Sequence, residues 1–209
     1  MDVVAARKNM VDSQVRVNDV TDRAVQAAML VVPRERFCAP DRAHTAYAEV
    51  EPEIAGDRRL MQAREVAKLL QALEARPGQT ALAIAAPYAA AVLAEMGLTV
   101  TTQEADPEVM AVVEPALKEA GVATAVAAFD APVGADHDII ISEGAVARRP
   151  DAWLDALRVG GRMVLVERTG PAGKAVLYVR GREGVSRREL FDAAPPMLAD
   201  LKPAPVFAL

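Results

Sequence analysis

The sequence predicts an α/β fold whose mostly parallel sheet ends in an antiparallel hairpin and is preceded by a helical N-terminal region. From residue 77 onward, short apolar runs alternate with helical stretches, which favours a parallel sheet covered on both faces. Two strand-like runs, 175–180 and 186–191, flank the glycine-bounded turn GREG and predict the hairpin. Within residues 1–40, apolar residues recur every three or four positions, as they do in amphipathic helices.

Length and composition are those of one globular domain. We expect a single domain over residues 1–209, with the N-terminal helical region in 1–76 and the α/β core in 77–209. The 24 basic and 29 acidic residues give a net charge of −5, so we expect no nucleic-acid partner. The chain opens without a long apolar stretch and has no apolar run of membrane-spanning length. We therefore predict a cytoplasmic protein without a membrane partner.

The N-terminal region is predicted to contain three helices. The first includes Val11 and Val15, and the second has Asp19 and Thr21 as N-cap candidates and ends at Pro33. The third leads towards the central strand and ends before the Pro-Gly pair at 77–78. Its apolar face has the spacing i, i+3, i+4, i+7 and consists of Val66, Leu69, Leu70 and Leu73.

The stretch 80–106 has the order strand, tight turn, helix and strand. An apolar run at 81–85 is short enough for a buried strand, and Pro87 suits the first helical position. Gly97 is placed to end the helix. In such βαβ units the first turn usually binds a nucleotide-type cofactor, and an acid at the end of the second strand holds ribose hydroxyls. Glu104 stands at that position.

Further elements follow in alternation. We expect helices at 107–119 and 150–157, and strands at 124–128, 138–142 and 162–167, the last entered through a turn at Gly160 and Gly161. The Pro-rich C-terminal tail is expected to be irregular, with Phe207 and Leu209 available to dock on the body or on a partner.

Several segments together resemble one family. The stretch MVDSQVRVNDVTDRAVQAAMLVVPRERFCAP, the segment GDRRLMQAREVAKLL, the run ARPGQTALAI and the closing GGRMVLV with its hairpin resemble the protein-L-isoaspartate O-methyltransferases over about residues 10–192. The resemblance implies a Rossmann-like S-adenosylmethionine-dependent methyltransferase fold with an N-terminal helical extension. It also implies methyl transfer from S-adenosylmethionine to the carboxylate of isoaspartyl residues in damaged proteins, and hence a protein or peptide partner.

The first turn departs from the family's pattern. The family has an acid in the first strand and then a glycine-rich turn, because glycine lets the backbone approach the methionine part of the cofactor. Here Ala83 replaces the acid, Ala85 and Ala86 begin a shorter turn, and Pro87 replaces the last glycine. Tyr88 matches the aromatic residue that follows the family's turn. Each lost charge-assisted hydrogen bond costs about 1.5–3 kcal/mol, so weakened cofactor binding is expected.

The substrate side departs as well. The resemblance places a Thr-Ile-Ser type motif, with its hydroxyl close to the methyl-accepting carboxylate, where this chain has Met61. Methionine can only pack at that position. Arg58, Arg59 and Arg64 are candidates for recognising a carboxylate, with a surface position as the alternative for each.

Other parts of the cofactor site match. Glu104 corresponds to the ribose-binding acid of the family, and Asp130 to the acid that faces the adenine amino group. The alternatives are an exposed strand-end acid for Glu104 and a turn or cap residue for Asp130. Phe129 replaces a glycine that precedes the second acid, and it would fill the adenine slot from inside. Ala85, Tyr88, Glu104 and Asp130 are therefore the cofactor-binding candidates.

Other constellations point to no further chemistry. His44 and His137 have no second ligand at metal-binding spacing, so no metal is expected. Residues 142–144 follow the fourth strand, a common position for functional groups, but they lack the nucleophile-elbow pattern. Trp153 is expected to anchor the core or an interface.

Two functions follow from the family resemblance and its departures. The favoured hypothesis is a family member with lost or strongly impaired methyl transfer, retained as a binding or scaffolding module. The alternative is an active S-adenosylmethionine-dependent carboxyl methyltransferase that acts on isoaspartyl residues. No catalytic residue is assigned, S-adenosylmethionine is the only cofactor considered, and the sequence does not fix an oligomeric state.

Overall fold

The computed structural model describes residues 2–201; the tail residues Phe207 and Leu209 lie outside this range. The α-helices are α1 (Val3–Met10), α2 (Arg23–Val31), α3 (Ala63–Leu73), α4 (Pro87–Glu95), α5 (Pro107–Glu119) and α6 (Asp151–Asp155). The strands are β1 (Glu53–Ala55), β2 (Arg58–Arg59), β3 (Thr80–Ile84), β4 (Thr99–Glu104), β5 (Ala123–Val126), β6 (His137–Val146), β7 (Leu157–Arg168), β8 (Gly173–Arg180) and β9 (Val185–Ala193).

The main sheet has the predicted topology. Its seven strands follow the order β5-β4-β3-β6-β7-β8-β9. The pairs from β5 to β7 are parallel, whereas β7–β8 and β8–β9 are antiparallel. The order reverses between β3 and β6, and ligands bind beyond the carboxyl ends of the strands at such a switch point. The prediction of a parallel sheet that closes in an antiparallel hairpin is therefore confirmed.

The start of α2 differs from the prediction. Its N-cap is Asp22, whose side chain accepts the N–H groups of Ala24 and Val25 at 2.8 and 3.2 Å. Asp19 instead has left-handed backbone (φ 62°) at the end of the preceding short helical turn. The Thr21 N–H donates to a side chain of α3. Neither Asp19 nor Thr21 caps α2, so the prediction was wrong. Asp19 ends the preceding helical turn, and the Thr21 N–H is bound by Gln71 of α3.

The glycine pair at 160–161 is another correction. Gly160 and Gly161 lie inside β7, which already begins at Leu157, rather than in a turn before it. Gly160 has a φ of 85°, and the register of β6 against β7 shifts between His137 and Ile139. Glycine therefore permits a bulge within a continuous strand.

Strand β3 lies at the centre of the core. Ala81 and Ala83 belong to an apolar cluster that includes N-terminal residues such as Met10, whereas Leu82 and Ile84 face a second cluster on the other side of the sheet. This alternation is that of a strand buried on both faces. The helix that follows, α4, is buried along 87–93, as expected of a helix that is apolar on all sides. None of the helices in residues 2–201 combines the length and the apolar character that a membrane span requires.

Candidate functional site

A cavity of about 600 Å³ opens beyond the carboxyl ends of the central strands. It is lined by the turn of the β1–β2 hairpin, the end of β4, the start of α5 and the segment 196–199. Glu104 and Phe129 contribute to its wall. The place and the volume are those of a small-molecule site in an open α/β sheet.

The turn between β3 and α4 keeps a glycine-type backbone without a glycine. Ala85 has a φ of 51°, a left-handed conformation that costs an alanine about 1–2 kcal/mol. Its N–H donates to the Gln103 carbonyl at 2.8 Å, so the turn is tied to β4. Ala85 and Ala86 are fully buried. The conformation that favours glycine is present, but methyl groups fill the space that glycine would leave.

Glu104 lies at the end of β4 as predicted, and it is paired with Arg58. The Arg58 guanidinium donates through Nε to Oε1 and Oε2 at 3.3 and 3.2 Å, and through Nη2 to Oε2 at 3.1 Å. The same Nη2 also donates to the Ala85 carbonyl at 2.8 Å. The two paired side chains are only 13% and 3% exposed. Arg58 therefore recognises a carboxylate of its own chain.

The other two candidate arginines lie elsewhere. Arg59 is exposed and contacts the Glu53 carboxylate at 3.6 Å. Arg64 lines a separate cavity of about 300 Å³ with Glu65. Met61 is fully buried, so the position that the resemblance assigns to a hydroxyl offers a thioether inside the core.

Asp130 does not share the cavity of Glu104. It lines a neighbouring cavity of about 350 Å³ together with Trp153. The preceding residue, Phe129, lines the Glu104 cavity and is 2% exposed, and its carbonyl accepts a 2.6 Å hydrogen bond from Trp153 Nε1. Trp153 is thus the buried anchor that the sequence indicated, while the two candidate acids line different cavities.

Tyr88 faces the N-terminal region. It is fully buried, packs edge-on against Phe37 with ring centroids 5.8 Å apart, and lies under the Arg34 guanidinium at 4.8 Å. Its hydroxyl has no hydrogen-bond partner among the described residues, and burial raises the pKa of Tyr88 well above its ordinary value. Tyr88 is therefore absent from the wall of the Glu104 cavity.

Sequence reasoning missed two buried charged side chains on the other side of the turn, Glu143 and Arg34. Glu143 lies within β6, directly after the segment that pairs with β3, and accepts the Ala89 N–H at 2.6 Å through Oε1. Arg34 is fully buried and donates from Nε to the Ala46 carbonyl at 2.9 Å and from Nη2 to the Met61 carbonyl. Burial raises the pKa of Glu143, while Arg34 opposes that rise. A signal was present, since one acid directly follows the buried strand in IIISEG.

The chain matches one family along most of its length. The model of the family "Protein-L-isoaspartate(D-aspartate) O-methyltransferase" matches residues 5–185. The chain belongs to the protein-L-isoaspartate O-methyltransferase family. A relative of that name from Methylorubrum populi is 32% identical over 197 residues, covering 91% of this chain and 92% of the relative. Another from Gloeobacter violaceus is 37% identical over 163 residues, covering 75% and 80%.

Solved structures support the fold of this family. One protein-L-isoaspartate O-methyltransferase superposes with a TM-score of 0.79 at 17% identity, covering 94% of this chain and 67% of that one. A putative family member from Plasmodium falciparum, solved with S-adenosyl-L-homocysteine, gives a TM-score of 0.77 at 15% identity, covering 92% and 97%. The Rossmann-like methyltransferase fold expected from the resemblance is therefore confirmed.

The cofactor that this family implies fits the site at one end. The Glu104 cavity offers a carboxylate and a volume suited to an adenosyl group. Around the turn the space is taken up by the protein itself, because Ala85 and Ala86 are fully buried and the Ala85 carbonyl accepts a hydrogen bond from Arg58. Among residues 2–201, no group of acidic, histidine or cysteine side chains is arranged to hold a metal ion.

Proposed function

We propose that the chain is an S-adenosylmethionine-dependent carboxyl methyltransferase that acts on isoaspartyl residues of proteins. The Glu104 carboxylate, at the end of β4 and on a 600 Å³ cavity, carries this proposal. Family membership supports the reaction class. The cofactor would supply an electrophilic methyl group, and the products would be an isoaspartyl methyl ester and S-adenosylhomocysteine.

Within this proposal the protein contributes mainly positioning. Transfer to a carboxylate that is already ionised needs alignment of the reacting atoms more than it needs a strong base, so we assign no catalytic residue. Glu104 would hold the ribose hydroxyls once Arg58 has moved. The cofactor contacts of Ala85, Tyr88 and Asp130 remain predictions. The division at residue 77 and the cytoplasmic location also remain predictions.

A second candidate is a binding or scaffolding module that has lost methyl transfer. The closed turn favours it, because Ala85 and Ala86 are fully buried where the family has glycines. Met61 adds to it, since a buried thioether stands in place of the hydroxyl that resemblance would put beside the substrate. The two candidates differ in one observable, which is whether a methyl group reaches an isoaspartyl carboxylate.

The test is transfer of a labelled methyl group from S-adenosylmethionine to a peptide that contains one isoaspartyl residue. The same peptide with ordinary aspartate is the substrate control. Glu104→Gln should reduce kcat/KM at least tenfold, whereas Glu95→Gln, a change at the exposed end of α4, should leave it unaltered. Circular dichroism confirms that each variant is folded. Absence of isoaspartate-dependent labelling by the folded wild-type protein would contradict the proposal and favour the second candidate.

A further inference from the structure

Two charged side chains bind polar backbone groups in and next to the β3–α4 turn. Arg58 reaches the turn from β2, and Glu143 reaches it from within β6. Arg58 contacts the carboxylate of Glu104 and the carbonyl of Ala85. Glu143 contacts an amide of the first turn of α4. Both contacts occupy polar groups of the turn and its surroundings that a ligand lying across the turn would otherwise meet.

The first position is the ribose end. A carboxylate that holds two ribose hydroxyls must offer free acceptor positions on its oxygens. The Glu104 oxygens already accept from Arg58 and from the Ala105 N–H, the latter at 3.2 Å. Because both paired side chains are largely buried, water does not replace these contacts cheaply. Arg58 therefore competes directly with a ribose for Glu104.

The second position is the anion site at the start of α4. The first N–H groups of a helix have no partner within the helix, and they attract negative charge. Glu143 satisfies the N–H of Ala89 at 2.6 Å with Oε1. Its Oε2 is buried without a hydrogen-bond partner in the described residues. The helix terminus thus already holds a carboxylate, and the carboxylate of a bound amino-acid group would have to displace it.

We propose that Arg58 and Glu143 substitute for the polar groups of S-adenosylmethionine, Arg58 on the wall of the Glu104 cavity and Glu143 at the buried start of α4. The two side chains thereby determine how strongly this chain binds the cofactor. Arg58 blocks the ribose contact, and Glu143 blocks the contact of the amino-acid carboxylate. The whole cofactor binds when Arg58 leaves Glu104 and Glu143 leaves the helix terminus. This inference rests on the proposed function for the identity of the ligand.

Two probes separate the two positions. S-adenosylhomocysteine contains both the ribose and the amino-acid group, whereas 5′-methylthioadenosine lacks the amino-acid group. Calorimetric titration of wild type, Arg58→Ala and Glu143→Ala with both probes gives the affinities. An affinity that is reduced by the population of a closed state recovers when that state is removed.

The expected pattern is specific. Arg58→Ala should bind both probes at least tenfold more tightly than wild type does. Glu143→Ala should gain affinity for S-adenosylhomocysteine only. Arg187→Ala, which removes an Arg–Glu pair with Glu167 on the far hairpin, is the matched control and should change neither affinity. Urea unfolding shows that each variant is folded before titration.

Other outcomes overturn the proposal. If Arg58→Ala binds both probes no more tightly than wild type does, the role of Arg58 is contradicted. The same conclusion holds if neither wild type nor Arg58→Ala binds a probe measurably. A gain of Glu143→Ala for both probes alike, or for neither, contradicts the role of Glu143. Tighter binding without any methyl transfer would overturn the proposed function and leave this inference standing. Methyl transfer together with unchanged affinities in the variants would support the proposed function and overturn this inference.

Discussion

Replacement of the buried Arg34 should expose how strongly the N-terminal region is fixed to the sheet. Its guanidinium donates to the carbonyls of Ala46 and Met61 and lies over the ring of Tyr88. Its positive charge also limits the rise in the pKa of Glu143 that burial causes. Arg34→Met keeps much of the apolar stem and removes these interactions.

The expected loss in free energy of unfolding follows from the two buried carbonyls that Arg34→Met leaves without a donor. Two hydrogen bonds from a charged donor contribute about 1.5–3 kcal/mol each, and part of this is recovered because the guanidinium itself no longer has to be buried. We therefore expect Arg34→Met to lower the free energy of unfolding by about 3–5 kcal/mol.

The loss of stability caused by Arg34→Met should depend on pH through the protonation of Glu143. Without Arg34, the folded-state pKa of Glu143 rises further above its unfolded value. The folded state then holds a proton that the unfolded state releases, so stability is retained at low pH and falls as pH rises through the folded pKa. The loss caused by Arg34→Met should therefore be larger at pH 8 than at pH 5.

Urea unfolding at both pH values measures this effect. Glu143→Gln and the double variant complete a mutant cycle, in which we expect a coupling of about 1 kcal/mol or more between the two positions at pH 8. The same substitution at the exposed Arg36, which pairs with Glu119 at the surface, should cost about 1 kcal/mol or less. A loss below about 1 kcal/mol for Arg34→Met, or no coupling to Glu143, would refute the reasoning.

Three further predictions concern the surrounding structure. Burial, with a smaller contribution from Glu51, raises the pKa of Glu65 from 4.5 to about 7. The wild-type protein therefore loses stability as pH rises through 4.5–7, where the folded state keeps a proton that the unfolded state releases. In urea unfolding, the stability of Glu65→Gln relative to wild type should be higher at pH 8 than at pH 5, by at most about 3 kcal/mol. Trp153→Phe removes the hydrogen bond to a buried carbonyl and should cost about 1–3 kcal/mol in thermal unfolding. In Gly144→Ala the new Cβ would lie 2.5 Å from a methyl carbon of Leu198, so we expect a loss of about 1–3 kcal/mol and faster proteolysis near that residue.

The elements around the central strand were predictable because local signals agree there. Pro87 begins α4, Gly97 ends it with a φ of 89°, and the helix 107–119 has the predicted bounds. Each of these depends on residue conformation within one turn. At Gly160 the local signal misled, since a glycine serves a bulge as well as a turn.

The contents of the site were less predictable, because they depend on contacts between distant segments. Arg58 and Glu104 are 46 residues apart, and their pairing is set by how the β1–β2 hairpin folds over the end of β4. No spacing rule assigns Arg58 to Glu104 rather than to a substrate carboxylate. Likewise, Asp130 and Glu104 line different cavities, although Asp130 directly follows Phe129, which lines the cavity of Glu104.

The most direct test of the account is the dependence of isoaspartyl methyl transfer on S-adenosylmethionine concentration in wild type and Arg58→Ala. The account predicts transfer by both proteins, with a KM for S-adenosylmethionine at least tenfold lower in Arg58→Ala and a kcat of similar size. That result would mean that the site is a working methyltransferase whose cofactor affinity is limited by its own arginine. Absence of transfer by both folded proteins at millimolar cofactor would contradict the account and indicate that the fold serves another purpose.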